Sequence, residues 1–234
     1  MNMQYWYRLF SEDMKIEELD CLEGGFYYEW KAECDFCLLP SNDIDYIWDT
    51  ETHTLHVARY INQCQWIQGN GHSFLGIHVG TDISMIYEKE RLENWFSQIT
   101  VCEDVSYRIA KVKRELGEVI QRQKIHPVLN IAIEEICKSK GRIAIEDLKA
   151  DIPYDYSIRQ LERIFKEVYT YGPKQFCRKE RFLFMVEFLM QNPEENIMKG
   201  LEEAGYSDRA HFQREFKKFC SMTPGEFAKH YRLC

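Results

Sequence analysis

The chain has 234 residues, an apolar fraction of 45% and a net charge of −8, enough for one large domain or two smaller ones with real cores. It holds no run of about eighteen apolar residues to span a bilayer. Its first ten residues have neither a basic n-region nor an apolar h-region, which predicts no secretory signal and a cytoplasmic location.

The acidity is uneven. Residues 1–123 carry 11 Lys+Arg against 21 Asp+Glu, whereas residues 124–234 carry 19 against 17. A phosphate-binding surface is therefore sought only in the second half, and there it needs local clustering of arginines. The nine cysteines are scattered and unpatterned, which reads as reduced thiols rather than a disulfide framework. Cys34 and Cys37 form a lone C-x-x-C. Without a second pair at matching spacing it predicts no zinc site, and nothing else in the chain calls for a metal or cofactor.

In chain order, the first hundred residues read as short strands broken by turns. Candidate strands are Ile44–Trp48, Leu55–Ile61 and a segment in which Leu75, Ile77 and Val79 alternate with Phe74, Gly76 and His78. Turns fall at Gly24-Gly25, Pro40–Asp43, Asp49–Thr52 and Gly69–Gly71. This spacing predicts a small barrel or sandwich. After Asp82 the period becomes helical, with Ile83, Ile86 and Tyr87 opening a segment that also holds Trp95, Phe96 and Ile99. Val105, Ile109, Val112, Leu116 and Val119 then step by four and three, an a/d seam that either joins two chains or packs on its own domain. His126-Pro127 breaks that pattern, because proline disfavours helix in the residue before it. The expected organisation is a β-rich sensor domain over 1–103, a connecting helix over 104–125 and a helical domain over 126–234.

From Pro127 on, every periodic segment is helical. Ser157–Gln160 has the form of a capping box, followed by Ile158, Leu161, Phe165 and Val168 facing inward. A long helix over about 174–190 ends at Asn192-Pro193. Ala204-Gly205-Tyr206 then reads as a turn into a helix capped by Ser207 or Asp208. That helix stacks Phe212, Phe216 and Phe219 on one face and carries Arg209, Gln213, Arg214 and Lys217 on the other, with Thr223-Pro224 beyond it.

The spacing of these strings resembles the DNA-binding domain of AraC/XylS-type transcriptional regulators over about 110 residues. Ser157–Phe165 is similar to the first recognition helix. Tyr171–Arg178 with Arg181-Phe182 is similar to the entry into the linker helix, and Gly205–Lys218 with Thr223-Pro224 to the closing motif. Leu39-Pro40, Asp43–Asp45 and Leu75–Ile77 bear a loose likeness to the β-rich sensor domain of one subgroup. The fold implied is α+β and multidomain: a small N-terminal β-barrel or sandwich with helices, then an all-α domain of two helix-turn-helix units joined by a linker helix. The function implied is effector-responsive, sequence-specific binding of double-stranded operator DNA, as a homodimer in contact with RNA polymerase. By motif position the DNA-binding residues are Arg159, Glu162, Arg163 and Lys166 in the first unit. In the second they are Arg209, Ala210, His211, Gln213, Arg214, Lys217 and Lys218. Arginines suit guanine edges and lysines suit phosphates.

Some positions depart from the pattern. Lys149 and Leu201 stand where the family places alanine, Gly200 interrupts a helix, and the first unit's turn, Asp151–Tyr156, looks lengthened. Trp48, Tyr60 and Trp66 are the candidates for a small-molecule pocket in the first domain. Two other readings remain: an interaction protein descended from a regulator that no longer binds DNA, and a cupin-like enzyme using His53, His56, His72 and His78. The enzyme reading lacks the required ligand spacing, because residues three apart on a strand point to opposite faces, and no catalytic residues are assigned.

Overall fold

The computed structural model describes residues 14–19, 25–80, 84–86, 88–119, 121–123, 126–152, 156–192 and 197–233. The strands are β1 (Lys15–Glu18), β2 (Phe26–Ala32), β3 (Phe36–Leu38), β4 (Ile44–Asp49), β5 (Thr54–Arg59), β6 (Gln65–Ile67), β7 (His72–Val79), β8 (Ser84–Ile86) and β9 (Gln121–Gln123). The helices are α1 (Lys89–Thr100), α2 (Val105–Val119), α3 (Pro127–Lys138), α4 (Ile145–Asp151), α5 (Ile158–Tyr169), α6 (Pro173–Gln191), α7 (Ile197–Ala204), α8 (Arg209–Cys220) and α9 (Pro224–Leu233). No helix among the described residues is long and apolar enough to cross a membrane.

The first half is built on an antiparallel sheet in the order β1-β2-β7-β4-β5. Among the described residues its edge strands β1 and β5 do not pair with each other, so the sheet stays open and, of the barrel or sandwich expected, a closed barrel is not formed. Side chains alternate across it as a period of two requires. Tyr27, Tyr46, Trp48, Leu75 and Ile77 share one core with Leu92, Phe96 and Ile99 of α1. Tyr28, Trp30, Ile47 and Phe74 share another with Phe36 of β3 and Ile67 of β6, which pair as a two-stranded cover. Both faces are thus buried, whereas the alternation around Leu75 suggested a half-buried strand. Gly76 is needed here, since a Cβ would lie 2.3 Å from the Tyr28 ring.

One further expectation is corrected and one open alternative is decided. Ser84–Ile86 is not the start of a helix but a strand, paired with Gln121–Gln123; Ile83 and Tyr87 lie outside the described residues. The a/d seam of α2 is turned inward: Val112 and Leu116 are buried in the chain's own core beside α1. Arg108 of α2 clamps Glu29 of β2 through two hydrogen bonds of 2.7 and 2.6 Å. A homodimer built on Val112 and Leu116 therefore has no free surface to use.

The sheet half packs on the helical half at two places. Buried Asn42, in the β3–β4 loop, donates to the Phe176 carbonyl (3.3 Å) and Glu180 Oε1 (2.7 Å) of α6. Its own Oδ1 accepts from the Tyr171 hydroxyl at 2.8 Å. Lys179 is fully buried there, with Nζ donating to the Ser41 carbonyl (3.2 Å) and the Tyr171 oxygen (2.9 Å). Farther along, the Cys64 amide donates to the Phe219 carbonyl of α8 at 2.7 Å. Trp66 stands edge-on to His230 of α9, with ring centres 4.5 Å apart.

Candidate nucleic-acid interface

The second helix-turn-helix unit is α7, a glycine turn and α8. Gly205 takes φ of +71°, a left-handed conformation that ends α7 at little cost only for glycine. Of the two capping candidates, Asp208 is the one used: it accepts from the His211 amide at 2.7 Å. That backbone hydrogen bond holds its carboxyl below the usual aspartate range. Phe212, Phe216 and Phe219 are buried together with Phe182 of the linker helix, and Phe216 also meets Phe227 of α9. Recurrence at three- and four-residue spacing places all three rings on one side of the helix. The opposite side is solvent-facing. Arg209, Ala210, Gln213, Arg214, Lys217 and Lys218 are all exposed, and His211 is half-buried against the Tyr206 ring.

The electrostatics of α8 depend on one residue that motif position did not single out. Glu215 is the only carboxylate in the helix, and it is 4% exposed. It accepts from Arg178 Nε of the linker helix at 2.5 Å. Burial and pairing remove the helix's one carboxylate from the outer face, which leaves four cations there with only the flanking Asp208 and Glu226 carboxylates near Arg214 and Lys217. A weakly basic half can thereby present a strongly basic helix. Its position in the apolar arc, three residues after Phe212 and four before Phe219, was the available sequence signal.

The first unit is arranged similarly but charged differently. The Ser157 hydroxyl caps the Gln160 amide while Gln160 reaches back to the Ser157 amide, so the capping box forms. Leu161, Ile164, Phe165 and Tyr169 are buried. Ile158 and Val168 are only half-buried, so the inward face is rotated slightly from the expected one. Arg159, Glu162, Arg163 and Lys166 are exposed, but so is Glu167, which lies 3.7 Å from Arg163. Three cations thus share the face with two carboxylates. The lengthened turn lies partly outside the described residues, at 153–155, as does the Lys149 side chain. Between the units, α6 runs 19 residues, about 28 Å at 1.5 Å per residue. That span suits two helices entering successive major grooves about 34 Å apart.

Gly200 is explained by packing. A Cβ there would sit 2.5 Å from the Phe188 ring, so the glycine lets α7 and α6 approach closely. Leu201 is buried in the same contact region.

Other candidates are dispersed. Trp48 stacks on Phe96, Tyr60 meets Tyr169 edge-on, and Trp66 meets His230. With different neighbours for each ring, the three do not wall a common pocket. The first half instead has a cavity of about 440 Å³ lined by Glu29, Trp30, Lys31, Phe74 and Arg108, among others. The histidines do not converge either. His72 bonds Asp49 at 2.9 Å and His78 bonds Asp45 at 3.0 Å, six residues apart on one strand and so about 20 Å distant. Asp49, Glu51 and His72 do bring three ligand atoms within 4.8 Å. Their carboxylates already accept the Glu51, Thr52 and Ser73 amides, which accounts for the cluster as turn capping.

A family described as "Helix-turn-helix domain" matches residues 154–230. No curated protein sequence matches the chain. Among solved structures, ToxT from Vibrio cholerae O395 is similar, at 11% identity over 94% of this chain and 98% of that one, with a TM-score of 0.49. A second is ToxT from the same organism bound to (E)-4-(8-methylnaphthalen-1-yl)but-3-enoic acid, at 10% identity over 93% and 99%, also with a TM-score of 0.49. Residues 154–230 are a helix-turn-helix domain, of the type carried by AraC/XylS-type transcriptional regulators.

Proposed function

We propose that the chain is a sequence-specific, DNA-binding transcription regulator in which α8 is the principal reading helix and α5 a weaker partner. The observation that carries this is the outer face of α8, where Arg209, Arg214, Lys217 and Lys218 are exposed and Glu215 is buried against Arg178. Arg209 and Arg214 are the base-reading residues, supported by Gln213, Ala210 and His211 along the same side; Lys217 and Lys218 grip phosphates. Arg159, Arg163 and Lys166 of α5 add backbone contacts, with Glu162 opposing them. The cavity beside Trp30 and Arg108 is the candidate place for an effector in the first half, since it joins aromatic walls to cationic groups.

The test is selection of duplexes from a random DNA pool by the purified full chain, followed by titration at several salt concentrations. The expected result is a recurring sequence bound with an affinity that falls steeply as salt rises. Failure to enrich any sequence, with no salt-dependent binding, would overturn the reading and favour a protein-interaction role.

A further inference from the structure

The contact between the two halves holds a pair of thiols outside the DNA-reading face. Cys64, in the loop before β6, places its Sγ 3.0 Å from Sγ of Cys220, the last residue of α8. The neighbouring backbone is already fastened, because the Cys64 amide bonds the Phe219 carbonyl at 2.7 Å. A disulfide needs the sulfurs about 2.05 Å apart, so closure requires a shift of about 1 Å by side chains whose backbones are held together. Cys220 is buried, but Cys64 is half-buried. It lines an open crevice of about 420 Å³ with Ile61, Gln63, Gln175, Arg178 and Lys218. The sulfurs are therefore close and held by backbone, and the pair is open to solvent on its Cys64 side.

We infer that Cys64 and Cys220 are a peroxide-oxidisable pair that closes to a disulfide joining the sheet half to the end of α8. Cys64 is the donor in the sulfur–sulfur hydrogen bond, which holds its own proton tightly; the hydrogen bond to Cys220 is the largest cause of its raised pKa. One sulfur of the pair gives up its proton and attacks one oxygen of a hydroperoxide, the O–O bond breaks, and the other oxygen leaves with a proton as an alcohol or water. The sulfenic acid so formed then loses its oxygen as water when the partner thiol, giving up its proton, attacks its sulfur. Two thiols and one hydroperoxide yield one disulfide, one alcohol or water, and one water. The sulfurs are oxidised by two electrons and the O–O bond takes them up. The site itself does not depend on DNA binding. Its consequence for α8 rests on the function proposed above, and the experiment below does not.

Hydrogen peroxide is added to the full reduced chain, remaining thiols are blocked, and the chain is digested with trypsin without reduction. Cleavage after Arg59, Lys89, Lys218 and Lys229 puts Cys64 in peptide 60–89 and Cys220 in peptide 219–229, while Cys37 falls in 32–59. The expected product is a linked 60–89/219–229 species, about 2 Da lighter than the two peptides together, that disappears on reduction. Cys64→Ser and Cys220→Ser should each abolish it, and Cys37→Ser should leave it. Because Cys64 is half-buried, Cys64→Ser is the variant least prone to misfold, and an unchanged melting profile verifies that it folds. Peroxide treatment that yields no such species, that links 32–59 to 60–89 instead, or that still yields it in Cys64→Ser would overturn the inference.

Discussion

Arg214→Ala against Arg163→Ala is the comparison that most directly separates the two helix-turn-helix units. Arg214 is exposed on a helix whose only carboxylate is buried, and the charge nearest it is the Asp208 cap, already engaged by the His211 amide, so its guanidinium meets DNA without breaking an ion pair within the helix. Losing a bidentate contact to guanine costs about 1–3 kcal/mol, or about 5- to 150-fold in Kd, and should relax selectivity at one base pair. Arg163 starts from a different state. It sits 3.7 Å from Glu167, with both side chains more than 60% exposed, in a pair worth about 0.3–0.5 kcal/mol. Glu162 beside it would approach the same phosphates and repel them. Arg163→Ala is therefore expected to cost less than about 1 kcal/mol, a loss of under about fivefold, and Glu162→Gln should tighten binding. Lys217→Ala should weaken all sequences equally and reduce the slope of log K against log salt by about 0.9. Anisotropy titrations of the variants on a selected site and on a scrambled duplex, at several salt concentrations, read all four effects. Equal losses for Arg163 and Arg214 would refute the unequal division, and a uniform loss across sequences for Arg214→Ala would make it a phosphate contact.

Three further outcomes follow from the packing. Burial lowers the Lys179 pKa to about 7, against smaller opposing effects from Asp43 and Glu180, so between about pH 7 and 10.4 the unfolded chain binds a proton that the folded one has released. The Lys179 contribution to stability therefore rises with pH through that window by up to about 1.4 kcal/mol per unit, against an opposite one from His78, whose pKa is raised to about 9, so the stability of Lys179→Met should fall relative to the parent chain as pH rises; parallel urea-unfolding profiles for the two chains would contradict this. Val112→Lys should abolish cooperative folding rather than split a dimer, since a charge there is buried beside α1; a folded variant of halved mass by light scattering and circular dichroism would restore the intermolecular seam. Gly200→Ala gains about 1 kcal/mol of helix propensity but forces a Cβ to 2.5 Å from the Phe188 ring, and overpacking of this kind costs about 1–3 kcal/mol. It should lower Tm, with recovery in the Phe188→Leu background; a higher Tm from Gly200→Ala alone would show that the ring yields freely.

What the sequence determined by itself was local. The capping box at Ser157, the phenylalanine stripe of α8, the glycine turn at Gly205 and the linker helix each rest on interactions within about four residues. Helical periodicity and hydrogen-bond chemistry fix these before any long-range contact forms. The strands near Ile44, Leu55 and Leu75 were legible for the same reason, through alternation. Tertiary structure decided whatever needed a partner distant in sequence. Alternation alone could not say that both faces of β7 are covered, nor that the open sheet stops short of a barrel. The four-and-three spacing of α2 fits an intermolecular seam and an internal one equally, and only the position of α1 turns Val112 and Leu116 inward. A glutamate in α8 counts against DNA in any tally of charge. Arg178, 37 residues away, holds Glu215 in the interior, because the cost of taking a carboxylate out of water is offset there by a charge-assisted hydrogen bond from a guanidinium. Cys64 and Cys220, separated by 156 residues, meet only where the sheet half packs on the end of the reading helix.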